Sequence, residues 1–246
     1  MTDAAVAPGT AYTARQFQDN YAPGMERHWW SRARAKVVER ALGKYRGAAV
    51  LDVGCGPGIV VQHLRARGWA CYGSELGSPA LLPGVQDWVW TGVDAAELPS
   101  DFCAGVDVLL LLDVLEHLPE PAAFLRRLLS AFPNVQGVVI TVPARQELWS
   151  AWDRHFGHHR RYDRRSLALL CEEGGLRPPV LRYFFHALYP PLLAAARIVG
   201  RSTRSKAQKP RSILNALLAH AFAWEARLPI GNVVGTSLIA VAAPKP

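Results

Sequence analysis

Residues 48–58 read Ala48-Ala49-Val50-Leu51-Asp52-Val53-Gly54-Cys55-Gly56-Pro57-Gly58. A short apolar run with β-branched members, bounded by glycine, predicts a buried parallel strand. The run carries one carboxylate and then breaks into glycines at every second position. Without Cβ atoms, Gly54, Gly56 and Gly58 let the backbone turn sharply and bring its N–H groups against a ligand. Ile59 to Arg67 then has the character of a helix. Strand, bare-backbone loop and helix N-terminus in succession form a cradle suited to an adenosine cofactor.

Two glycine fingerprints compete for this stretch. The dinucleotide pattern requires Gly at positions 54, 56 and 59. Position 59 is Ile and the third Gly falls one residue early, which disfavours a dehydrogenase. The segment Asp52-Val53-Gly54-Cys55-Gly56-Pro57-Gly58 instead resembles the nucleotide-binding motif of class I S-adenosylmethionine-dependent methyltransferases. A glycine-rich turn with no ligand would satisfy the same letters, so the later motifs carry weight.

The chain has 246 residues, half of them hydrophobic, enough for one domain of generous size and too apolar for general disorder. No uncharged apolar segment is long enough to cross a membrane. The opening residues Met1 to Pro8 lack the basic and apolar regions of a secretory signal. Cys55, Cys71, Cys103 and Cys171 form no C-x-x-C pair, which fits a reduced, cytoplasmic setting. The net charge of +8 invites nucleic acid, anionic lipid or an acidic substrate, or simply reflects solvated arginines. Basic residues gather at 26–46, 154–165 and 197–211, outside the glycine-loop region.

Residues 1–24 read as a loose lead-in. Between Glu26 and Tyr45, Trp29, Trp30, Ala33, Val37, Val38, Ala41 and Leu42 recur at helical spacing, with arginines on the other faces. The tryptophan stripe fits a helix docked on the sheet. Some methyltransferases with this glycine motif open on a similar His-Trp-Trp-x-Arg-x-Arg segment, and by that resemblance Trp30 and Arg34 become cofactor candidates. After the glycine loop, residues 69–75 predict a second strand ending in Glu75, 23 positions after Asp52. That spacing suits a carboxylate, an acceptor-only group able to grip two vicinal ribose hydroxyls. A third short strand at 87–90 leads to Asp94. In the methyltransferase family an Asp here accepts the adenine amino group, so the resemblance assigns that contact to Asp94 with Ala95 beside it, and Glu97 as the fallback.

The run Val106 to Leu112 is the most strand-like in the chain and reads as the central fourth strand. Leu112-Asp113-Val114-Leu115-Glu116-His117-Leu118-Pro119 resembles the fourth motif of the methyltransferase superfamily. The resemblance places Leu112 and Asp113 alongside the cofactor's methionine part, while Glu116 and His117 order the loop or serve acid–base work. A helix from Pro121 and a fifth strand at 135–142 follow.

Residues 144–165 then form a polar loop too long for a plain connection, holding His155, His158, His159 and Tyr162 among several arginines and two tryptophans. Neutral His is suited to removing an acceptor's proton, and His158 and His155 are the candidate bases. A basic clamp for an anionic substrate is an equal alternative. No carboxylate accompanies the three His in a familiar metal-ligand spacing, and methyl transfer needs no metal.

A helix at 166–173 and a sixth strand at 179–185 precede a helical insertion, and 235–242 predicts a last, antiparallel strand. The expected fold is a single α/β domain, a doubly wound, Rossmann-like, mostly parallel seven-strand sheet. An N-terminal helical lead-in spans 1–46, the core spans 47–184 and 235–246, and a helical insertion or lid spans 185–234. Its basic linker at 200–211 and apolar helices suit a lid, peripheral contact with an anionic membrane, or packing on the domain. The resemblance implies S-adenosylmethionine as cofactor and methyl transfer to a small-molecule or lipid-linked acceptor on oxygen. The Asn/Asp-Pro-Pro-aromatic motif of base-nitrogen enzymes and a Pro-Cys nucleophile are both missing, which disfavours nucleic acid. An RNA or protein methyltransferase, or a cofactor-binding regulator without catalysis, stands as the alternative.

Overall fold

The computed structural model describes residues 12–198 and 212–246. The glycine-bounded run forms β1 (Ala49–Val53), with four of its five residues buried. It pairs in parallel with β2 (Ala70–Glu75), which pairs in parallel with β3 (Val89–Thr91). On its other side β1 pairs with β4 (Val108–Leu112), and β4 with β5 (Gly137–Pro143), both in parallel. β6 (Val180–Phe184) and β7 (Ser237–Ala242) close the sheet, with β7 antiparallel to both β5 and β6. The order is β3-β2-β1-β4-β5-β7-β6. This is the doubly wound α/β sheet expected from the alternating pattern.

Parallel strands covered on both faces bury both sets of side chains. Leu51, Val53, Leu109 and Leu111 join one core, whereas Val50, Val108, Leu110 and Leu112 join the other. The first core is covered by α5 (Pro121–Ala131) and α7 (Arg164–Glu173), through Leu125, Leu128, Leu167 and Leu170. The second is covered by α2 (Trp29–Ala41) and α3 (Ile59–Arg65), through Ala33, Val37, Val38, Val60, Val61 and Leu64. Asp52 lies opposite Gly73 and Leu110. That register brings the carboxyl ends of β1, β2 and β4 to one edge, so Gly54, Glu75 and Asp113 converge there.

Several expected boundaries shift. The loose lead-in contains a helix, α1 (Ala14–Asn20), started by a reciprocal capping box between Thr13 and Gln16. The long helix expected over 26–45 is broken. His28 accepts a hydrogen bond from the Trp30 N–H and caps α2, while Met25–Arg27 and Leu42–Tyr45 are tight 3-10 turns. A short α4 (Ser100–Ala104) precedes β4, and α6 (Ala151–His155) forms within the polar loop behind a Ser150–Asp153 capping box.

The insertion holds α8 (Tyr189–Ile198) and α9 (Ser212–Glu225), and its 200–211 linker lies outside the described residues. α9 packs on α2, with the Trp29 and Phe222 rings 4.9 Å apart and the Trp29 N–H donating to Asn215 Oδ1 at 2.7 Å. Among the described residues, no helix is long and apolar enough to cross a membrane.

The entry to β7 is tight. A Cβ on Gly235 would lie 2.4 Å from the Phe184 carbonyl oxygen, and that backbone is fixed by the β6–β7 pairing. Gly235→Ala is expected to destabilise the protein by about 1–3 kcal/mol, read as a lowered thermal unfolding midpoint.

Candidate active site

The glycine loop is tied to the end of β2. The Ser74 carbonyl accepts from the N–H groups of Gly54 and Cys55 at 2.8 and 3.1 Å. Glu75 is buried and accepts from the Gly56 N–H on Oε2 and from the Gly77 N–H on Oε1, both at 2.9 Å. Gly54 and Gly56 both have positive φ, 73° and 56°. A Cβ on Gly54 would meet Val114 at 2.8 Å, and one on Gly56 would meet the Tyr21 phenol at 2.6 Å. Only glycine satisfies both the dihedral and the clearance.

Beside this loop, Arg34 reaches from α2 to the end of β4. Its Nη2 donates to the Leu112 carbonyl at 2.8 Å and pairs with Asp113 Oδ2 at 2.8 Å. Its guanidinium also lies 5.1 Å from the Trp30 ring centroid, a cation–π distance. Asp113 has φ 59°, an uncommon conformation for a non-glycine residue, and Thr141 holds it there. The Asp113 N–H donates to the Thr141 carbonyl at 2.9 Å and the Thr141 hydroxyl to Asp113 Oδ1 at 3.2 Å. Two buried atoms at this edge, Arg34 Nε and Asp52 Oδ1, lack hydrogen-bond partners among the described residues. Burial pushes the Asp52 carboxyl up to about 7, with Arg34 opposing the rise and Glu75 and Asp113 adding to it.

These groups line a cavity of about 130 Å³. Asp52, Gly54, Cys55, Glu75, Leu112, Asp113, Trp30 and Arg34, all expected from sequence, border it. So do Tyr12, Phe17 and Tyr21 from the lead-in, which sequence reasoning missed. Pockets for cofactor-sized ligands run to about 300–1,000 Å³. With these aromatic side chains on its wall the cavity is smaller than such pockets. The Thr13-x-x-Gln16 capping-box pattern was the available signal that this segment is built rather than loose.

Six expected site residues do not border the cavity. Gly56 and Gly58 shape the loop behind it, and Gly58 opens α3 with φ 86°. Asp94 accepts from the Ala96 N–H at 2.9 Å and pairs with Arg127 at 2.7 Å, while Ala95 is buried in the core.

The two candidate bases lie away from the cavity lining. His155 Nε2 lies 2.9 Å from Asp19, tying α6 to α1. His158 Nδ1 donates to Asp153 at 2.9 Å. Each ring faces a carboxylate, and neither borders the cavity. The histidine that does border it is His117, with Nδ1 donating to the Phe156 carbonyl at 3.0 Å and Nε2 3.2 Å from the Tyr12 hydroxyl. A carbonyl only accepts, so Nδ1 carries the proton and Tyr12 donates to Nε2. Burial and the neighbouring His158 push His117 down to about 3, so its ring is neutral at physiological pH.

The polar loop is organised by Asp153, which is fully buried. It accepts from Arg161 through Nε and Nη2 at 2.8 and 2.9 Å, from His158, and from the Ser150 N–H at 2.8 Å. Burial alone would raise its carboxyl, but the His158 and Arg161 hydrogen bonds outweigh that and hold it well below the usual range. The basic clamp expected here is thus partly an internal ion-pair network.

A family model described as a methyltransferase domain matches residues 26–178. The chain belongs to that methyltransferase family. Its fold is that of the class I S-adenosylmethionine-dependent enzymes. A ubiquinone biosynthesis O-methyltransferase of Acinetobacter baumannii (strain AYE) is 26% identical over 121 residues, 46% of this chain and 51% of the relative. The methyltransferase chain thus spans about half the length of that curated relative. The solved structure of geranyl diphosphate C-methyltransferase from Streptomyces coelicolor A3(2), in complex with Mg2+, geranyl diphosphate and S-adenosyl-L-homocysteine, superposes with a TM-score of 0.54. It is 15% identical and covers 96% of this chain and 90% of its own. The 1,6-didemethyltoxoflavin-N1-methyltransferase of Burkholderia thailandensis, with bound 1,6-didemethyltoxoflavin and S-adenosylhomocysteine, gives 0.53 at 17% identity, covering 100% and 94%. At these identities the likeness is one of fold.

Breaking a buried ion pair leaves an uncompensated charge and costs about 3–5 kcal/mol. Arg161→Leu is expected to destabilise by that order, measured by denaturant unfolding at pH 7. Because the folded Asp153 carboxyl lies below its unfolded value of about 3.9, the stability it supplies is present above that pH and is lost as the pH falls below it. The difference between wild type and Arg161→Leu is expected to narrow as the pH drops below about 4.

Proposed function

We propose that this methyltransferase moves the sulfonium methyl of S-adenosylmethionine to a hydroxyl oxygen of a small-molecule or lipid-linked acceptor. The observation that carries the reading is a pair of buried atoms of opposite kind that lack hydrogen-bond partners among the described residues, Asp52 Oδ1 and Arg34 Nε, on two residues that line the cavity. A methionyl end presents an ammonium and a carboxylate. Asp52 accepts from the first and Arg34 donates to the second. Glu75 retains lone pairs for ribose hydroxyls beyond its two backbone bonds. Gly54, Cys55, Gly56 and Gly58 supply the bare-backbone turn, and Leu112, Asp113 and Trp30 flank the methionyl portion. Asp94, with Ala95, takes the adenine once it exchanges its partner Arg127. S-adenosylmethionine supplies an electrophilic methyl and leaves as S-adenosylhomocysteine. The chain's own residues then align the acceptor, and alignment supplies most of the rate. His117, rather than His158 or His155, stands where an acceptor hydroxyl would approach.

The oxygen assignment draws support from the ubiquinone biosynthesis O-methyltransferases, within the half-length match. In this reading 47–184 and 235–246 form the transfer core of one domain, and 185–234 is its insertion. Isothermal titration calorimetry with S-adenosylmethionine and with NAD tests the cofactor; heat from NAD alone would overturn the reading. Radiolabelled methyl transfer to phenols, catechols, amines and an RNA panel tests the acceptor, and labelling of RNA or amines without phenols would overturn the oxygen assignment.

Asp52 makes the cofactor reading sharper. Its ligand-free carboxyl is half protonated near pH 7 and a bound cation favours the ionised form. Affinity for S-adenosylmethionine is expected to fall by about 10-fold per pH unit below 7 and to level above it. Asp52→Asn is expected to remove that slope; an equal slope in both proteins counts against an Asp52 contact. In the ligand-free protein the raised carboxyl has the opposite consequence, eroding stability as the pH climbs from about 4 to 7.

A second reading concerns the insertion. Ile213, Leu214, Leu217 and Trp224 of α9 are exposed, Ile213 by 77%. The adjoining sequence 200–211 carries five basic residues and no acidic one: Arg201, Arg204, Lys206, Lys209 and Arg211. Apolar residues beside basic ones suit peripheral docking on an anionic bilayer, where a lipid-linked acceptor resides. Wild type is expected to co-sediment with anionic vesicles and a triple Ser substitution at Ile213, Leu214 and Leu217 to remain in solution; equal sedimentation would dismiss the docking face.

A further inference from the structure

Outside the groups used for the cofactor, Glu116, His117 and His158 bring one potential ligand atom each to within 4.8 Å of one another. Glu116 and His117 belong to the turn after β4, and His158 follows α6 in the polar loop. The rings of His117 and His158 lie edge to face, 4.6 Å between centroids. Two independent observations set this cluster apart from ordinary polar packing.

The first is an orphaned oxygen. Glu116 is 1% exposed, and among the described residues its Oε2 has no hydrogen-bond partner. Burial of a carboxylate oxygen without a partner costs several kcal/mol, a cost that a cation held against it offsets. The second is the orientation of both imidazoles. His117 commits Nδ1–H to the Phe156 carbonyl at 3.0 Å, and His158 commits Nδ1–H to the Asp153 carboxylate at 2.9 Å. With Nδ1 committed in this way, Nε2 is the ring atom that each histidine offers to an ion. A carboxylate or carbonyl gripping the far nitrogen is how metal-binding histidines are held in tautomer and angle. Asp153 is itself fixed by Arg161 and Ser150, so the His158 ring cannot turn freely.

We propose that Glu116, His117 and His158 bind one divalent transition-metal ion of the zinc class at the wall of the cofactor cavity. Two neutral nitrogens and one carboxylate oxygen suit such an ion and leave a coordination position open. Magnesium and calcium, which take mainly oxygen ligands, are poorly served. Tyr12 donates to His117 Nε2 at 3.2 Å, so its hydroxyl competes with the ion for that lone pair. His117 also lines the cavity, which puts the open position where an acceptor hydroxyl would approach. That use of the ion rests on the oxygen-transfer reading above; the binding does not. Sequence spacing alone pointed away from a metal because it grouped His155, His158 and His159. The chain instead assembles a different trio across 42 residues, from Glu116 to His158.

The test uses the full, tag-free chain, stripped with a chelator and titrated calorimetrically with Zn2+ and Mg2+, with Co2+ as a spectroscopic probe. One equivalent of Zn2+ is expected to bind, Co2+ to give ligand-field bands that Zn2+ abolishes, and Mg2+ to give no saturable heat. Glu116→Gln and His158→Gln are each expected to weaken Zn2+ binding by about 100-fold or more, and Tyr12→Phe to strengthen it. S-adenosylmethionine binding, unchanged in Glu116→Gln and His158→Gln, shows that those variants fold. Substoichiometric Zn2+ in the wild type, or full affinity in both ligand variants, would overturn the site. Failure of the wild type to bind S-adenosylmethionine while Zn2+ still binds would instead sink the transfer reading and leave the metal site standing.

Discussion

The binding edge depends on one buried carboxylate. Glu75 ends β2 and accepts one backbone N–H from the glycine loop after β1 and another from its own following turn. Buried polar groups are held by hydrogen bonds, and each oxygen of this carboxyl takes one from the backbone. The loop after β1 is therefore held by its neighbouring strand, through Glu75 and the Ser74 carbonyl, more than by contacts within itself. This frees the glycines to keep open, positive-φ geometry. It also means that the carboxylate meant for a ligand already has a structural task, so the cradle exists before the ligand arrives.

What sequence made legible follows from how local the signals were. The runs at 48–53 and 106–112 are apolar because parallel strands are buried on both faces, and both proved central. Asp52, Glu75 and Asp113 sit at strand ends, so their convergence follows from parallel register alone. Non-local partnerships left no such mark. His158 looked like an available base because nothing nearby in sequence revealed that Asp153, five residues earlier and inside the same polar run, faces inward and takes its Nδ1–H. His117 looked like a loop residue because its neighbours Tyr12 and Phe156 lie 105 and 39 positions away. Asp94 matched its motif position, yet Arg127 from α5 holds it in this structure.

The surplus of arginine takes on a local meaning as well. Arg34 is bound to the end of β4, Arg161 to Asp153, and Arg127 to Asp94. Arg65 stacks over Trp88 at 3.3 Å and donates to the Cys71 carbonyl at 2.9 Å. Guanidinium suits such sites because it is planar, weakly hydrated and rich in directed donors. These four of the 28 basic residues thus work as internal joinery. The net charge of +8 is correspondingly weak support for a nucleic-acid surface.

The lead-in explains how a cavity of about 130 Å³ can belong to a cofactor enzyme. Tyr12, Phe17 and Tyr21 line it, with Tyr21 against Gly56 of the glycine loop. Among the described residues, three side chains of the segment have polar ties to the polar loop and the turn after β4. Gln16 Nε2 donates to the His155 carbonyl at 3.0 Å, Asp19 meets His155 at 2.9 Å, and Tyr12 meets His117. Asp19 is 44% exposed, and exposed pairs of this kind contribute about 1 kcal/mol or less. α1 has only seven residues, too short to hold its helix without tertiary support. A segment with strong aromatic packing but weak polar anchoring can be displaced by a ligand that offers equal apolar contact. Among the described residues, two of these ties end on His155 and one on His117, so displacement would loosen the polar loop and uncover His117 in the same motion.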